Sequence, residues 1–206
     1  MNPDTAKIDA VVFDVGRVLI QWDMRHLIAR LTDDPAEVDY VFEHVVTEQW
    51  HFQHDAGRDL QEMLAERKAQ FPGYERFLDA YATRFNETVP GPVAGTHALV
   101  ERLDARGVPL FCITNFADSF WDDFVPEWPV LAHFRDVIVS GKEKLAKPDP
   151  AIFRLAEDRF GHPGEAMLFI DDNPANIAAA AALGWQVHLF TDAARLEADL
   201  AARGLV

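Results

Sequence analysis

Residues 8–19 read Ile8-Asp9-Ala10-Val11-Val12-Phe13-Asp14-Val15-Gly16-Arg17-Val18-Leu19, and the fold turns on this stretch. Ile8 to Phe13 is a short apolar run rich in β-branched residues that stops at a carboxylate and, two residues on, a glycine. A run this apolar suits a strand buried on both faces, as in a parallel sheet. Further candidates are Pro109 to Thr114 (PLFCIT), Asp136 to Val139 (DVIV), Ala166 to Ile170 (AMLFI) and Trp185 to Phe190 (WQVHLF). Helical segments separate them: one from near Pro92 to Gly107, one from Pro150 to Phe160 ended by Gly161, and one from Pro174 to Leu183 ended by Gly184. Strands alternating with helices predict an α/β fold with a doubly wound, mainly parallel, Rossmann-like sheet.

The alternation stops between Asp23 and Thr88. Amphipathic helices are expected there at Met24 to Leu31, Pro35 to Val46, Leu60 to Gln70 and Tyr74 to Asn86, and Pro90-Gly91-Pro92 marks the return to the sheet. The expected organisation is a core of residues 1–22 and 89–206 carrying a small helical cap, residues 23–88. An insertion after the first strand sits over the carboxyl end of the sheet, where open α/β folds bind ligands, so it reads as a lid.

With 206 residues the chain buries one substantial core, with room for such an insertion. Thirty-four acidic residues against 19 basic ones give a formal charge of −15, which disfavours nucleic acid and anionic lipid as partners. No apolar stretch approaches the roughly 20 residues needed to span a bilayer. The first strand begins by Ile8, which leaves no room for a signal peptide, so a cytoplasmic location is expected. The single cysteine, Cys112, lies in an apolar strand and is expected to be a buried, inert thiol.

Three signals fall where strands end. Asp14, with Gly16 beyond it, projects a carboxylate into the crevice where the backbone comes close to a ligand. Thr114-Asn115 offers a hydroxyl, an amide and free main-chain groups to the oxygens of a phosphoryl group. Asp171-Asp172, in IDDNPANI, supplies hard oxygen ligands of the kind magnesium takes. Each has an ordinary reading as well: a turn aspartate, turn and cap residues, and a cap at Asp172 or Asn173 for the helix opening at Pro174. A cap does not explain Asp171. Between the second and third signals lies Lys147-Pro148-Asp149-Pro150, a lysine just before a proline-initiated helix, which alone reads as a solvated lysine.

In this order, each beyond a predicted strand, these residues resemble the haloacid dehalogenase (HAD) superfamily of hydrolases. The resemblance covers nearly the whole chain, the insertion matching the cap of the subfamily that places it after the first strand. Within the superfamily the sequence looks most like the α-D-glucose-1-phosphate phosphatase-type proteins, which also have glycine where most members have a second aspartate. His51-Phe52-Gln53-His54-Asp55-Ala56-Gly57, Phe120-Trp121 and Pro126-Glu127-Trp128-Pro129 look like that subgroup too. The resemblance implies that Asp14 attacks phosphorus, that Thr114 and Asn115 bind the transferring group, and that Lys147 balances charge. It implies that Asp14, the backbone carbonyl of Gly16 and Asp172 hold Mg2+, with Asp171 as a further residue of that shell.

The expected activity is therefore magnesium-dependent hydrolysis of a small phosphorylated metabolite, a sugar phosphate being the class indicated by the subgroup, through an aspartyl-phosphate on Asp14. A cation and a lysine must offset the repulsion between carboxylate and ester dianion before attack is feasible. The departure from the family pattern is Gly16, where the usual aspartate protonates the leaving alcohol and later activates water, help worth about 10²–10⁴-fold. His54 is the candidate replacement from the cap, with His51 second, against the ordinary reading of both as packing residues. Trp121 is a candidate pocket residue; Trp128 reads as packing. Two alternatives have different chemistry. A 2-haloacid dehalogenase would use Asp14 on carbon without metal; Gly16 suits it, but the acidic pair would repel its carboxylate substrate. A non-catalytic protein would bind a phosphorylated ligand in the same crevice.

Overall fold

The run beginning at Ile8 becomes the central strand of the sheet. The protein is described over residues 7–206 in a computed structural model. Its strands are β1 (Ala10–Phe13), β2 (Ile20–Gln21), β3 (Gly91–Pro92), β4 (Leu110–Thr114), β5 (Asp136–Val139), β6 (Met167–Asp171) and β7 (Gln186–Leu189). Five of them form one parallel sheet in the order β5-β4-β1-β6-β7, with Phe13 opposite Cys112 on one side and Ile170 on the other. The α/β, mainly parallel architecture expected from the sequence is the one found. Chain connections leave β1 in both directions, so the crevice lies past its carboxyl end, beside Asp14.

The helices are α1 (Met24–Ile28), α2 (Pro35–Tyr40), α3 (Glu48–Asp55), α4 (Leu60–Gln70), α5 (Glu75–Thr83), α6 (Thr96–Ala105), α7 (Asp118–Phe124), α8 (Ser140–Glu143), α9 (Pro150–Phe160), α10 (Pro174–Ala182) and α11 (Ala193–Ala202). α9 runs over its expected bounds, stopped by Gly161 at φ 71°, a left-handed cap that glycine adopts without strain. α6 starts at Thr96 rather than near Pro92, because Pro92 is drawn into β3. The helices α3, α7, α8 and α11 and the ribbon of β2 with β3 were not foreseen.

That ribbon pairs Ile20 with Pro92 and Gln21 with Gly91, bringing together the two points where the chain leaves and rejoins the core. Among the described residues no strand falls between them. The expected helix from Pro35 to Val46 is there, but its second half, Val41–Val45, winds as a π-helix.

Alternate residues of β1 serve two apolar clusters. Ala10 and Val12 pack with α9 and α10; Val11 and Phe13 join the larger cluster, which also takes in Met24, Leu27, Trp50, Tyr81 and Phe85. Both faces are covered, which explains the uninterrupted apolar run. The inserted helices are thus continuous with one face of the core. Cys112 is fully buried, and burial, with Asp14 nearby, pushes its thiol well above the usual range.

Candidate active site

Where β1 ends, Asp14 turns into a cavity of about 240 Å³. Its walls come from the loops after β1, β4 and β6 and from α3; Gly16, Asn115, Lys147 and Asp172 line it with Asp14. The Asp14 side chain is nearly buried. Its Oδ1 accepts from the Val15 amide (2.7 Å) and lies 2.9 Å from Lys147 Nζ. Burial pushes the carboxyl up to about 7 from its ordinary 3.8; Lys147 pulls it down, and Asp171 and Asp172 add to the rise.

Lys147 is 1% exposed. Its ammonium donates to the Ile113 carbonyl (2.8 Å) and to Asp171 Oδ2 (2.7 Å) and faces Asp14, so all three of its protons have acceptors. Burial alone would lower its pKa, but Asp14 and Asp171 outweigh it and hold the ammonium above its usual value, charged. The side chain of Asn115 fixes the lysine from behind, accepting from the Lys147 amide (2.9 Å) and donating to its carbonyl (2.8 Å). Thr114, 1% exposed at the end of β4, lies next to it in the chain.

The acidic pair divides its work. Asp171 is fully buried and accepts from the Asn173 amide, from Lys147 and from the side chain of Asn176 at both oxygens. Asn173, not Asp172, caps α10, accepting from the Ala175 amide (2.9 Å). Asp172 is thereby left half-buried on the cavity wall, its carboxyl raised by burial and by Asp171, against the pull of Arg17 and Lys147. Asp14, Asp171 and Asp172 each place a carboxylate oxygen within 4.8 Å of the others. Hard oxygen donors so grouped fit a divalent cation such as magnesium. Asp14 and Asp172 have the freer oxygens. Asp171 is first an anchor for Lys147.

Besides Asp171, three sequence candidates do not line the cavity, and Thr114, buried at the end of β4, is the first of them. His54 does not line the cavity: its Nδ1 meets the Arg58 carbonyl (2.9 Å) and its Nε2 the Ser119 hydroxyl (2.8 Å). Since a carbonyl only accepts, Nδ1 carries the proton and Nε2 accepts from Ser119. Trp121 is buried against Phe116 and Phe124, so its expected place in the pocket is corrected to the core. Trp128 packs on Phe124, as expected.

The cap histidine on the cavity is His51, stacked between Trp22 and Phe85, with Nε2 3.1 Å from Asp55 Oδ2 and Nδ1 2.8 Å from the Tyr81 hydroxyl. The other Asp55 oxygen and Trp22 Nε1 are buried without a hydrogen-bond partner among the described residues. Arg17, Trp22, Glu48 and Asp55 line the site and were missed from sequence. For Arg17 a signal was there, since it follows Gly16 in the strand-end loop.

At Gly16 the position of an added Cβ has no atom within 4 Å, so the loop has space for a side chain that it does not carry.

The sequence profile of the haloacid dehalogenase-like hydrolases matches residues 8–184. The chain is 33% identical to an (S)-2-haloacid dehalogenase of Pseudomonas putida over 114 residues, 55% of this chain and 48% of that protein. It is 31% identical to a phosphoglycolate phosphatase of Pseudomonas syringae pv. tomato over 125 residues, 61% and 43% respectively. The match thus spans under half the length of these relatives. Among solved structures, a HAD-like family hydrolase from Porphyromonas gingivalis superposes with a TM-score of 0.71 at 22% identity, covering 97% of this chain and 98% of that one. A HAD family enzyme from Bacteroides thetaiotaomicron, in complex with magnesium and inorganic phosphate, gives 0.68 at 20% identity over 90% and 95%.

Proposed function

The chain belongs to the haloacid dehalogenase-like hydrolase family, and from that premise we propose that it is a magnesium-dependent phosphatase of a small phosphorylated metabolite with Asp14 as nucleophile. The observation that carries the reading is the division of labour at the end of β6. Asp171 anchors Lys147, Asn173 caps α10, and Asp172 keeps its carboxylate on the cavity beside Asp14. A carboxylate on the cavity wall beside Asp14 suits a cation.

Asp14 attacks phosphorus, an aspartyl-phosphate forms as the alcohol leaves, and water then releases inorganic phosphate and restores the carboxylate. Lys147 holds Asp14 in place and offsets its charge. Asn115 spends its Oδ1 and one Nδ2–H on Lys147, which leaves its second Nδ2–H as the side-chain donor of the Thr114-Asn115 pair on the cavity wall for the transferring group. A magnesium ion held by Asp14, the Gly16 carbonyl and Asp172 would supply the charge that offsets repulsion between carboxylate and ester dianion. Of the two cap histidines His51 is the one on the cavity, but its Nε2 meets Asp55 and its Nδ1 meets Tyr81, so the structure leaves neither cap histidine with a ring nitrogen open to the leaving alcohol. Residues 23–88 act as the cap that selects substrate and excludes water.

The α-D-glucose-1-phosphate phosphatase-type likeness favours a sugar phosphate; the phosphoglycolate phosphatase relatives favour a phosphorylated acid. A second reading, 2-haloacid dehalogenase, draws on Gly16, since halide needs no leaving-group acid, and on the dehalogenase relatives. Asp172 weighs against it, because a carboxylate on the cavity wall repels a carboxylate substrate.

The deciding experiment measures phosphate release from sugar phosphates, 2-phosphoglycolate and other monoesters with and without magnesium, beside halide release from 2-chloropropionate, using Asp14→Asn as blank. Magnesium-dependent phosphate release, lost in the variant, is expected. Halide release without metal would replace the phosphatase by the dehalogenase, and silence in both assays would favour a binding protein.

A further inference from the structure

Arg17 has no part in the machinery assigned above, yet it is held in an unusual way. Its φ is 58°, in the left-handed region that residues other than glycine, asparagine and aspartate rarely adopt. Such conformations persist where the surroundings over-determine them, and they cluster at ligand sites. The guanidinium lies 4.8 Å from the centre of the Trp22 ring, its Nε is 3.5 Å from the Trp22 carbonyl, and it pairs with Glu48 at the start of α3. Both members of that pair are more than two-fifths exposed at the cavity. Four carboxylates line this cavity, Asp14, Glu48, Asp55 and Asp172, against two cationic side chains, Arg17 and Lys147. The ammonium of Lys147 already has acceptors for all its protons. Arg17 is therefore the cation on the wall with a replaceable partner, and that partner is itself a carboxylate.

We infer that Arg17 is an anion-binding residue of the substrate site, its guanidinium taking an anionic group of the substrate, with Glu48 standing in for that group in the free protein. Guanidinium presents a planar fork that matches carboxylate and phosphoryl oxygens alike. The Trp22 ring lies against the guanidinium, and Arg17 lines the cavity. Glu48 lies on α3, so exchange of Glu48 for a ligand also breaks a tie between the loop after β1 and the inserted helices.

The inference deepens the phosphatase reading and is tested by binding, so the two fail separately. The probes are inorganic phosphate and 2-phosphoglycolate, titrated calorimetrically with magnesium present into the full chain carrying Asp14→Asn, so that nothing turns over. On that background Arg17→Gly is expected to weaken binding by about tenfold or more, the scale of a lost charge-assisted contact. Glu48→Gln is expected to tighten it, by about two- to fivefold, because a competing exposed pair is removed. Glycine is at ease at this φ, so Arg17→Gly keeps the fold, which thermal unfolding verifies. Weaker binding of both probes places the phosphoryl group on Arg17; weaker binding of 2-phosphoglycolate alone places the carboxylate there. Unchanged affinity in Arg17→Gly overturns the inference. So does weakening by both variants, the behaviour of a mere latch, or failure of both probes to bind the Asp14→Asn chain. Arg17-dependent binding without turnover in the native chain sinks the phosphatase reading alone.

Discussion

Gly16 is where this chain departs from the chemistry its neighbours imply. The residues around it suit the proposed phosphoryl transfer: Lys147 braces Asp14, Asp171 braces Lys147, and Asp172 faces the cavity. Yet the position expected to hold the acid and base carries no side chain, and nothing fills the space an added Cβ would enter. Gly16→Asp is therefore expected to fit and to raise the phosphate-release rate by about tenfold or more, since general acid–base help is worth roughly 10²–10⁴-fold when well placed. Steady-state rates of variant and parent decide this; no gain would mean that the proton already comes from another group or from water. The residues legible in sequence were those at strand ends, Asp14, Asn115 and Asp172, because a carboxyl-end loop after a buried strand can only open onto the crevice; Lys147, which lies just before α9 and alone read as solvated, came from the family resemblance and is in fact buried. His54 and Trp121 were misplaced because their position depends on packing between elements far apart in sequence, on Ser119 in one case and Phe116 in the other.

Among the elements, α3 is the one that hid. Its buried residues, Trp50, His51, His54 and Asp55, recur at helical spacing, but three of the four are polar or charged, so no apolar stripe marks the helix. Its start was readable in principle: Thr47 accepts from the Trp50 amide at 3.0 Å, an ordinary N-cap. The return from the insertion is tied at Glu87, whose carboxylate accepts from Arg30 after α1 and from Arg84 after α5. Those hydrogen bonds hold its pKa at about 2, below the ordinary 4.5. A carboxyl depressed on folding adds stability above its unfolded pKa and loses it as pH falls through the folded one. Glu87→Gln is thus expected to be less stable than the parent at neutral pH, by up to about 1 kcal/mol for a pair largely open to solvent. The difference should shrink as pH falls from about 4.5 to about 2. Thermal unfolding of both proteins across that range checks it, and a difference independent of pH would mean that packing, not charge, is lost.

At the scale of the molecule, a formal charge of −15 surrounds a site proposed to take an anion. Long-range repulsion slows encounter, and it is screened over about 10 Å at 0.1 M salt. The value of kcat/KM for a phosphate monoester is therefore expected to rise between about 10 and about 150 mM salt. A fall would mean that Arg17 and Lys147 dominate the approach instead. No described helix is long and apolar enough to cross a membrane. What the sequence by itself determined was the alternation of buried strands and helices, hence the parallel sheet, the crevice and the carboxylate at its centre. Period, run length and turn residues are local properties, and the crossover of parallel strands leaves few ways to join them. What only the tertiary structure decided was the division of duties: Asp171 as anchor, Asp172 on the cavity wall, His51 on the wall rather than His54, and Arg17 paired with Glu48. Those assignments depend on which side chains from distant segments meet within hydrogen-bond reach, and spacing along the chain does not encode that distance.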